Sequence, residues 1–281
     1  MTIEVIEPHG LCAGVDAAIA KAMAERNVYC LHELIHNERV VDQLKARGYR
    51  FVESVEEVPE GATVVFSAHG VAPSIRRAAQ ARHLRIVDTT CAFVSRVHRA
   101  ARQFSERGLP VVVIGDARHV EVRGIVGECN RVCVWQRGEP LDFAAGTRLG
   151  VVSQTTMNAE EVSRAVDELK VRYEVETMAE VCQATRERQA AVRHFCCGRE
   201  TSVLVVGSAT SSNSRRLAEV AREAGARAFQ AATVAEVDEL LPELSRASLL
   251  GLTSGASTPE SLFDEVLDFL RVRLTTKRNI P

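Results

Sequence analysis

Three cysteines, Cys12, Cys91 and Cys182, stand far apart in the chain, each beside a turn where an apolar, strand-like run gives way to a helix-like run. Their contexts are V-I-E-P-H-G-L-C-A-G-V-D, R-I-V-D-T-T-C-A-F-V-S-R-V and M-A-E-V-C-Q-A-T-R-E-R-Q, with small or hydroxyl residues next to the sulfur and helix formers downstream. The layout reads as three similar lobes, each offering one thiolate to a shared centre. Three such thiolates suit an iron-sulfur cluster with one iron left open. The remaining five cysteines have a plainer reading. Cys30 in N-V-Y-C-L-H and Cys133 in R-V-C-V-W lie in strand-like runs, where a free cysteine behaves as a small hydrophobe. Cys129 and the adjacent Cys196 and Cys197 lack a C-x2-C partner pair of the zinc type and are read as structural.

Other residues could handle an anion and a proton. Gly207-Ser208-Ala209-Thr210-Ser211-Ser212-Asn213-Ser214 follows the apolar V-L-V-V, so hydroxyls, an amide and the free N–H groups of a helix start converge on one spot that favours an anion. Capping by Ser212 or Ser214 needs only one such residue, and eight in a row exceed that need. Thr253-Ser254-Gly255-Ala256-Ser257, with Pro259 placed in the first helical turn, makes a second cradle of the same kind. His36, His69 and His119 form a set of three strand-end histidines able to hold a diphosphate as neutral donors or as cations. Glu121, two residues beyond His119, shares its side if the segment is extended, and a carboxyl beside a cluster is a natural proton donor for breaking a C–O bond. Thr155 and Thr156 in S-Q-T-T-M-N either relay that proton or cap the following helix.

One motif points elsewhere. His32-Glu33-Leu34-Ile35-His36 matches H-E-x-x-H, the zinc hydrolase signature, which requires a helix. Here it follows the β-favouring N-V-Y-C-L, and the next helix is expected after Asn37, a natural N-cap. On a strand the two histidines share a side but lie too far apart to chelate one ion.

The elements that must position these residues repeat as strand, short polar turn, helix. Apolar runs such as A-T-V-V-F, P-V-V-V-I, L-G-V-V-S, S-V-L-V-V and L-L-G-L-T-S precede helices expected over Ile75 to Arg82, from about Val122, Ala159 to Val171, Arg215 to Ala224 and Ser261 to Val272. This alternation calls for an α/β fold of mainly parallel sheets, with ligands gathered beyond the carboxyl ends of the strands. The expected division is residues 13–91, with the N-terminal strand 1–12 carrying Cys12, then 92–180, then 181–270, and a loosely held tail over 271–281. With 281 residues the chain can bury about three quarters of its unfolded surface and needs no disulfides. A net charge of −2 implies no strongly basic face and no nucleic-acid partner. The first residues lack the pattern of a signal peptide, and no apolar run approaches a membrane span, so a cytoplasmic location is expected. Eight cysteines in such a chain argue for metal, cluster or redox use. Neither GxGxxG nor a P-loop is present, so a nucleotide is not the obvious anion.

Taken together, L-C-A-G-V-D, H-N-E-R-V-V-D, F-S-A-H-G-V, D-T-T-C, H-V-E-V-R-G, S-Q-T-T, V-C-Q-A-T, G-S-A-T-S-S-N-S and T-S-G-A-S, in this order from Cys12 to about Ser257, make the chain resemble the 4-hydroxy-3-methylbut-2-enyl diphosphate reductases. The resemblance implies a trefoil of three α/β lobes around a [4Fe-4S] cluster ligated by Cys12, Cys91 and Cys182. It implies a diphosphate held by His36, His69, His119, Ser211, Ser212, Asn213 and Ser257, with Glu121 and Thr155 managing protons near the substrate hydroxyl. Electrons arrive one at a time from ferredoxin or flavodoxin. Val120 and Ala92 depart from the pattern, standing where the family usually has proline, and the stretch before S-S-N lacks the longer polar residues often found there. Two other readings remain: a zinc hydrolase on H-E-L-I-H, and a cluster-binding sensor without turnover.

Overall fold

The structure is a computed structural model describing residues 1–178 and 180–275. The first strand, β1 (Thr2–Val5), leads through Cys12 into α1 (Ala13–Met23). A first repeat follows: β2 (Tyr29–Leu31), α2 (Glu38–Ala46), β3 (Arg50–Val52), β4 (Thr63–Phe66), α3 (Pro73–Ala81) and β5 (Arg85–Asp88), then α4 (Ala92–Glu106). The second runs β6 (Val111–Ile114), α5 (Val120–Val126), β7 (Val132–Trp135), β8 (Arg148–Ser153), α6 (Ala159–Arg172) and β9 (Glu174–Met178), then α7 (Gln183–Cys196). The third comprises β10 (Ser202–Val206), α8 (Ser212–Glu223), β11 (Arg227–Ala231), α9 (Val234–Leu244), β12 (Leu249–Ser254) and α10 (Glu260–Thr275).

The strands form three four-stranded sheets, ordered β3-β2-β4-β5, β7-β6-β8-β9 and β11-β10-β12-β1. All the pairings are parallel. Central strands with both faces covered need apolar residues at successive positions, and Val111–Ile114 and Ser202–Val206 are buried throughout. One topology thus occurs three times, except that the fourth strand of the third sheet comes from the opposite end of the chain. The strand over residues 1–12, grouped in the sequence with residues 13–91, belongs to the third sheet, where Thr2 faces Leu249 and Ile3 faces Leu250. The reason is supply and demand for edges. The first sheet already has β5 as its fourth strand, whereas β12, buried along most of its length, would be left as an open edge without β1.

Compact packing divides the residues into two units. One holds Met1–Cys12, His36–Glu38 and the chain from Gln183 on, with the third sheet; the other holds Ala13–Ile35 and Arg39–Cys182, with the first two sheets. After each of the three cysteines the chain leaves one sheet and lays a helix on the next. Ala18 and Ala22 of α1 pack with Val28, Cys30 and Val65. Val97, Ala101 and Phe104 of α4 pack with Val111 and Val113, and Val192 and Phe195 of α7 with Val203 and Val205. Each fully buried Val or Phe of this kind contributes about 1.5–3 kcal/mol.

Helix bounds follow the sequence expectation closely for α3 and α6, while α8 begins three residues before Arg215. Of the expected tail, residues 271–275 continue α10, with Leu274 buried; residues 276–281 lie outside the described residues. No helix among the described residues is long and apolar enough to cross a membrane.

Ala92 and Val120, at the positions of the missing prolines, are the first residues of α4 and α5. Proline is well accepted there, since the first N–H of a helix has no intrahelical partner. The preceding residues suit it too: Cys91 (φ −57°, ψ 140°) and His119 (φ −72°, ψ 136°) have the extended ψ that a following proline demands. Ala92→Pro and Val120→Pro are each expected to stabilise the fold by about 0.4–1 kcal/mol through the unfolded chain. Thermal unfolding should show a rise of roughly 1–3 °C each.

Candidate active site

Cys12, Cys91 and Cys182 each immediately precede a helix: α1, α4 and α7. The backbone N–H of Cys12 donates to the carbonyl of Ala256 (3.1 Å), that of Cys91 to Ala68 (3.0 Å) and that of Cys182 to Thr155 (3.0 Å). Ala68, Thr155 and Ala256 each lie two residues past the end of the third strand of a sheet, β4, β8 and β12. Three cysteines remote in sequence therefore occupy one equivalent position in three copies of the same topology. All eight cysteines are free, and these three are only partly covered. Burial pushes the thiol pKa of Cys30 up to about 12 and that of Cys129 to about 11, and raises Cys133 and Cys196, so these four are held as neutral thiols. The donor set thus suits a cluster that takes one thiolate per iron. Among the described residues, no three His, Cys, Asp or Glu side chains are placed to hold a single metal ion.

In the larger unit, Cys182 is tied to Thr155 by its backbone N–H, and Cys91 lies against α1. A Cβ on Gly14, in the first turn of α1, would lie 2.5 Å from the Cys91 sulfur, so any larger residue here must push that sulfur aside. Gly14→Ala is expected to displace that sulfur and weaken iron retention at least roughly tenfold against a chelator, as loss of a supporting contact around a metal commonly does.

Glu121 is 1% exposed. Its Oε1 accepts the backbone N–H of Thr155 (2.7 Å) and its Oε2 the Thr155 hydroxyl (3.1 Å). Burial pushes its pKa up to about 7, against the two Thr155 hydrogen bonds and the charge of His98, which favour the carboxylate. His119 caps α5: its Nδ1 accepts the Glu121 N–H at 3.2 Å, so the neutral ring carries its proton on Nε2. His69 packs edge-on against His119 with ring centroids 5.6 Å apart, and its Nδ1 lies 3.3 Å from the Ser67 hydroxyl.

In the other unit, the hydroxyl-rich turns after β10 and β12 lie side by side. Ser211 caps α8, accepting the Ser214 N–H at 3.3 Å, and its hydroxyl meets that of Ser257 at 3.4 Å. Ser257 donates in turn to the His36 carbonyl (3.3 Å), and Asn213 Nδ2 to the Thr185 hydroxyl (3.0 Å). Ser211, Ser212, Asn213 and Ser257 are all buried. The two turns approach so closely that a Cβ on Gly207 or Gly255 would stand 2.3 or 2.0 Å from the Ser214 hydroxyl. Buried hydroxyls and an amide around the start of a helix make a site for an anion.

Several local readings change. Ser211, not Ser212 or Ser214, is the helix cap. Pro259 precedes α10, its carbonyl accepting the N–H groups of Leu262 and Phe263, rather than lying in the first turn. His119 and Glu121 come together at a helix start and not along an extended segment; the valines beside them favour a strand, but the His119 cap and the turn after β6 decide otherwise. Asn158 caps α6, which leaves Thr155 to Glu121. His32 lies beyond the end of β2 with φ 58° and pairs with Glu53 at 3.0 Å, so H-E-L-I-H is not on a helix and cannot form the zinc motif.

Other residues give no signal in the sequence. Arg188, buried on α7, donates to the carbonyls of Gly10 (2.8 Å) and His9 (3.3 Å) and so braces the loop carrying Cys12. Gln154, buried, accepts from the Asp116 N–H (3.1 Å) and donates to the Thr156 hydroxyl (2.9 Å), fixing the turn before Thr155. An arginine or glutamine in a polar stretch is read as solvated unless the fold buries it.

A family model described as LytB protein matches residues 3–271. The chain is 38% identical over 291 residues to the 4-hydroxy-3-methylbut-2-enyl diphosphate reductase of Edwardsiella ictaluri (strain 93-146), covering 96% of this chain and 90% of the relative. It is 40% identical to the protein of the same name from Acidothermus cellulolyticus, over 95% of this chain and 82% of the other. Among solved structures it is similar to the E-1-hydroxy-2-methyl-but-2-enyl-4-diphosphate reductase from Plasmodium falciparum, with a TM-score of 0.90, 30% identity, and coverage of 96% of this chain and 87% of that one.

Proposed function

The chain belongs to the LytB protein family, and from that premise we propose that it is the reductase that converts 4-hydroxy-3-methylbut-2-enyl diphosphate into isopentenyl and dimethylallyl diphosphate. The balance is one allylic alcohol, two electrons and two protons in, one product and one water out. Cys12, Cys91 and Cys182 hold a [4Fe-4S] cluster. When bound there, the cluster supplies single electrons and, at the iron lacking a cysteine, a Lewis acid for the C–O bond that breaks. The observation that carries this reading is the equivalent placement of the three cysteines, each before a helix and each hydrogen-bonded to the second residue past a third strand.

The side chains divide the remaining work. Ser211, Ser212, Asn213 and Ser257, with His36, His69 and His119, hold the diphosphate. Binding energy at that unreactive end positions the alcohol. Glu121, neutral over an appreciable fraction of the time near pH 7, supplies the proton that lets hydroxide leave as water. Because its Oε2 accepts the Thr155 hydroxyl, the proton passes from Glu121 to Thr155 while Thr155 gives up its own. The electrons come singly from ferredoxin or flavodoxin, and the working location is the cytoplasm.

The test is anaerobic reconstitution with iron and sulfide, followed by turnover of the allylic diphosphate with a reduced viologen dye. Loss of substrate with appearance of the two isomeric diphosphates is expected. A preparation with full iron and sulfide that consumes no substrate would replace this reading with a cluster-binding sensor.

A further inference from the structure

A cavity of about 400 Å³ lies on the larger unit, lined by Arg76 and Arg77 of α3, Arg99 and Arg102 of α4, and by Gly70 and Thr90. Its charge is lopsided. Two carboxylates line it with the four arginines, and both are engaged. Asp88 accepts from Thr90 N–H (2.9 Å) and pairs with Arg76. Burial works to raise the Asp88 pKa, but the hydrogen bonds from Thr90 and Arg76 outweigh it and keep the group ionised. Glu128 meets His98 Nδ1 at 2.9 Å and Arg102 at 3.6 Å. Arg77 and Arg99 are exposed and have no hydrogen-bond or ion-pair partner among the described residues. A surplus of two positive charges at one cavity stands out in a chain whose net charge is −2.

The position of the cavity gives that charge a purpose. Thr90 directly precedes Cys91, and Gly70 directly follows His69. The cavity is therefore lined by residues next in the chain to a cluster ligand and a diphosphate ligand in the reading above. Cys91 also directly precedes α4, the helix that presents Arg99 and Arg102. A reducing partner seated over these arginines would be one peptide unit from a cluster ligand along the chain. Electron transfer falls off steeply with distance, so a short route matters more than affinity.

We propose that the arginine-lined cavity between α3 and α4 is the docking surface for the acidic face of a one-electron carrier protein, with electrons entering through the Thr90–Cys91 backbone. Resting on the reductase reading, the full balance is two reduced carriers, one allylic alcohol and two protons giving two oxidised carriers, one product and one water. Complementary charge steers such encounters, raises their rate by about 10–10³-fold and makes them sensitive to salt.

The test uses the reconstituted holoenzyme and its Arg77→Glu/Arg99→Glu variant with two reductants, a viologen dye and reduced ferredoxin. Arg137→Glu/Arg164→Glu, two exposed sites away from the cavity, serves as the control for net charge. The cavity variant is expected to lose at least about tenfold in ferredoxin-supported kcat/KM. Its affinity for ferredoxin in direct binding measurements should fall in parallel. Viologen-supported turnover and iron content should stay within about twofold of wild type, and the control variant should match wild type with both donors. Unchanged ferredoxin binding and turnover in the cavity variant would overturn the docking site, as would equal loss in the control. Failure of the wild type to turn over with viologen would instead strike at the reductase reading, while the binding comparison would still decide where the carrier docks.

Discussion

Glu121→Gln is expected to lower kcat about 10²–10⁴-fold, the range a positioned general acid contributes, with iron content and visible absorption unchanged. Glutamine keeps the shape and can still accept from the Thr155 N–H, but it has no proton to give. Because Glu121 touches Thr155 and none of the cysteines in the hydrogen bonds described, the loss should fall on turnover and not on the cluster. The pH dependence has a definite sign. With its pKa pushed up to about 7 by burial, the acid form is present below that pH and lost above it. The wild-type kcat should therefore descend as pH rises through about 7, and the residual rate of the variant should lack that limb. Stability follows the same proton. The folded chain retains it between the ordinary carboxyl value of 4.5 and about 7, while the unfolded chain releases it. The stabilisation is full below the lower value and gone above the upper one, at most about 3 kcal/mol. Unfolding midpoints at pH 5 and pH 8 should thus differ more in the wild type than in the variant.

The second large effect belongs to the sulfurs. Cys12→Ala, Cys91→Ala and Cys182→Ala are each expected to cost most of the bound iron and sulfide after anaerobic reconstitution, and with them nearly all turnover. Cys133→Ala and Cys197→Ser should retain both. The contrast rests on environment. Cys133 is held as a thiol by burial, and Cys197 lies exposed just beyond α7, whereas the three proposed ligands lie partly covered directly before helices. Iron loss in Cys197→Ser equal to that in Cys91→Ala would mean that the ligand set has been misassigned.

Much of this arrangement is legible in the chain. Runs such as V-V-V-I and S-V-L-V-V announce strands covered on both faces, because only such strands carry apolar residues at successive positions. The polar turns after them mark the site, since each change from a continuous apolar run to helical spacing falls at a strand end. What is hidden depends on distant partners. Thr-Ile-Glu-Val shows that residues 2–5 can form a strand, but not that its neighbour is β12 near the opposite end of the chain. The valines around Glu121 argue for an extended segment, and a single histidine cap reverses that preference. Gly14 looks like any small residue beside a cysteine until the Cys91 sulfur is found against it. Arg188 and Gln154 are likewise invisible, because spacing does not say which polar side chains will be buried against backbone carbonyls and amides.

The most direct measurement is the Mössbauer spectrum of the ⁵⁷Fe-reconstituted protein, recorded anaerobically with and without 4-hydroxy-3-methylbut-2-enyl diphosphate. Three cysteines on one cluster require an iron unlike the others whose signal moves when the allylic diphosphate binds. A spectrum in which all irons are alike, or in which none responds to saturating ligand, would contradict the assignment of Cys12, Cys91 and Cys182 to a single centre with an open corner.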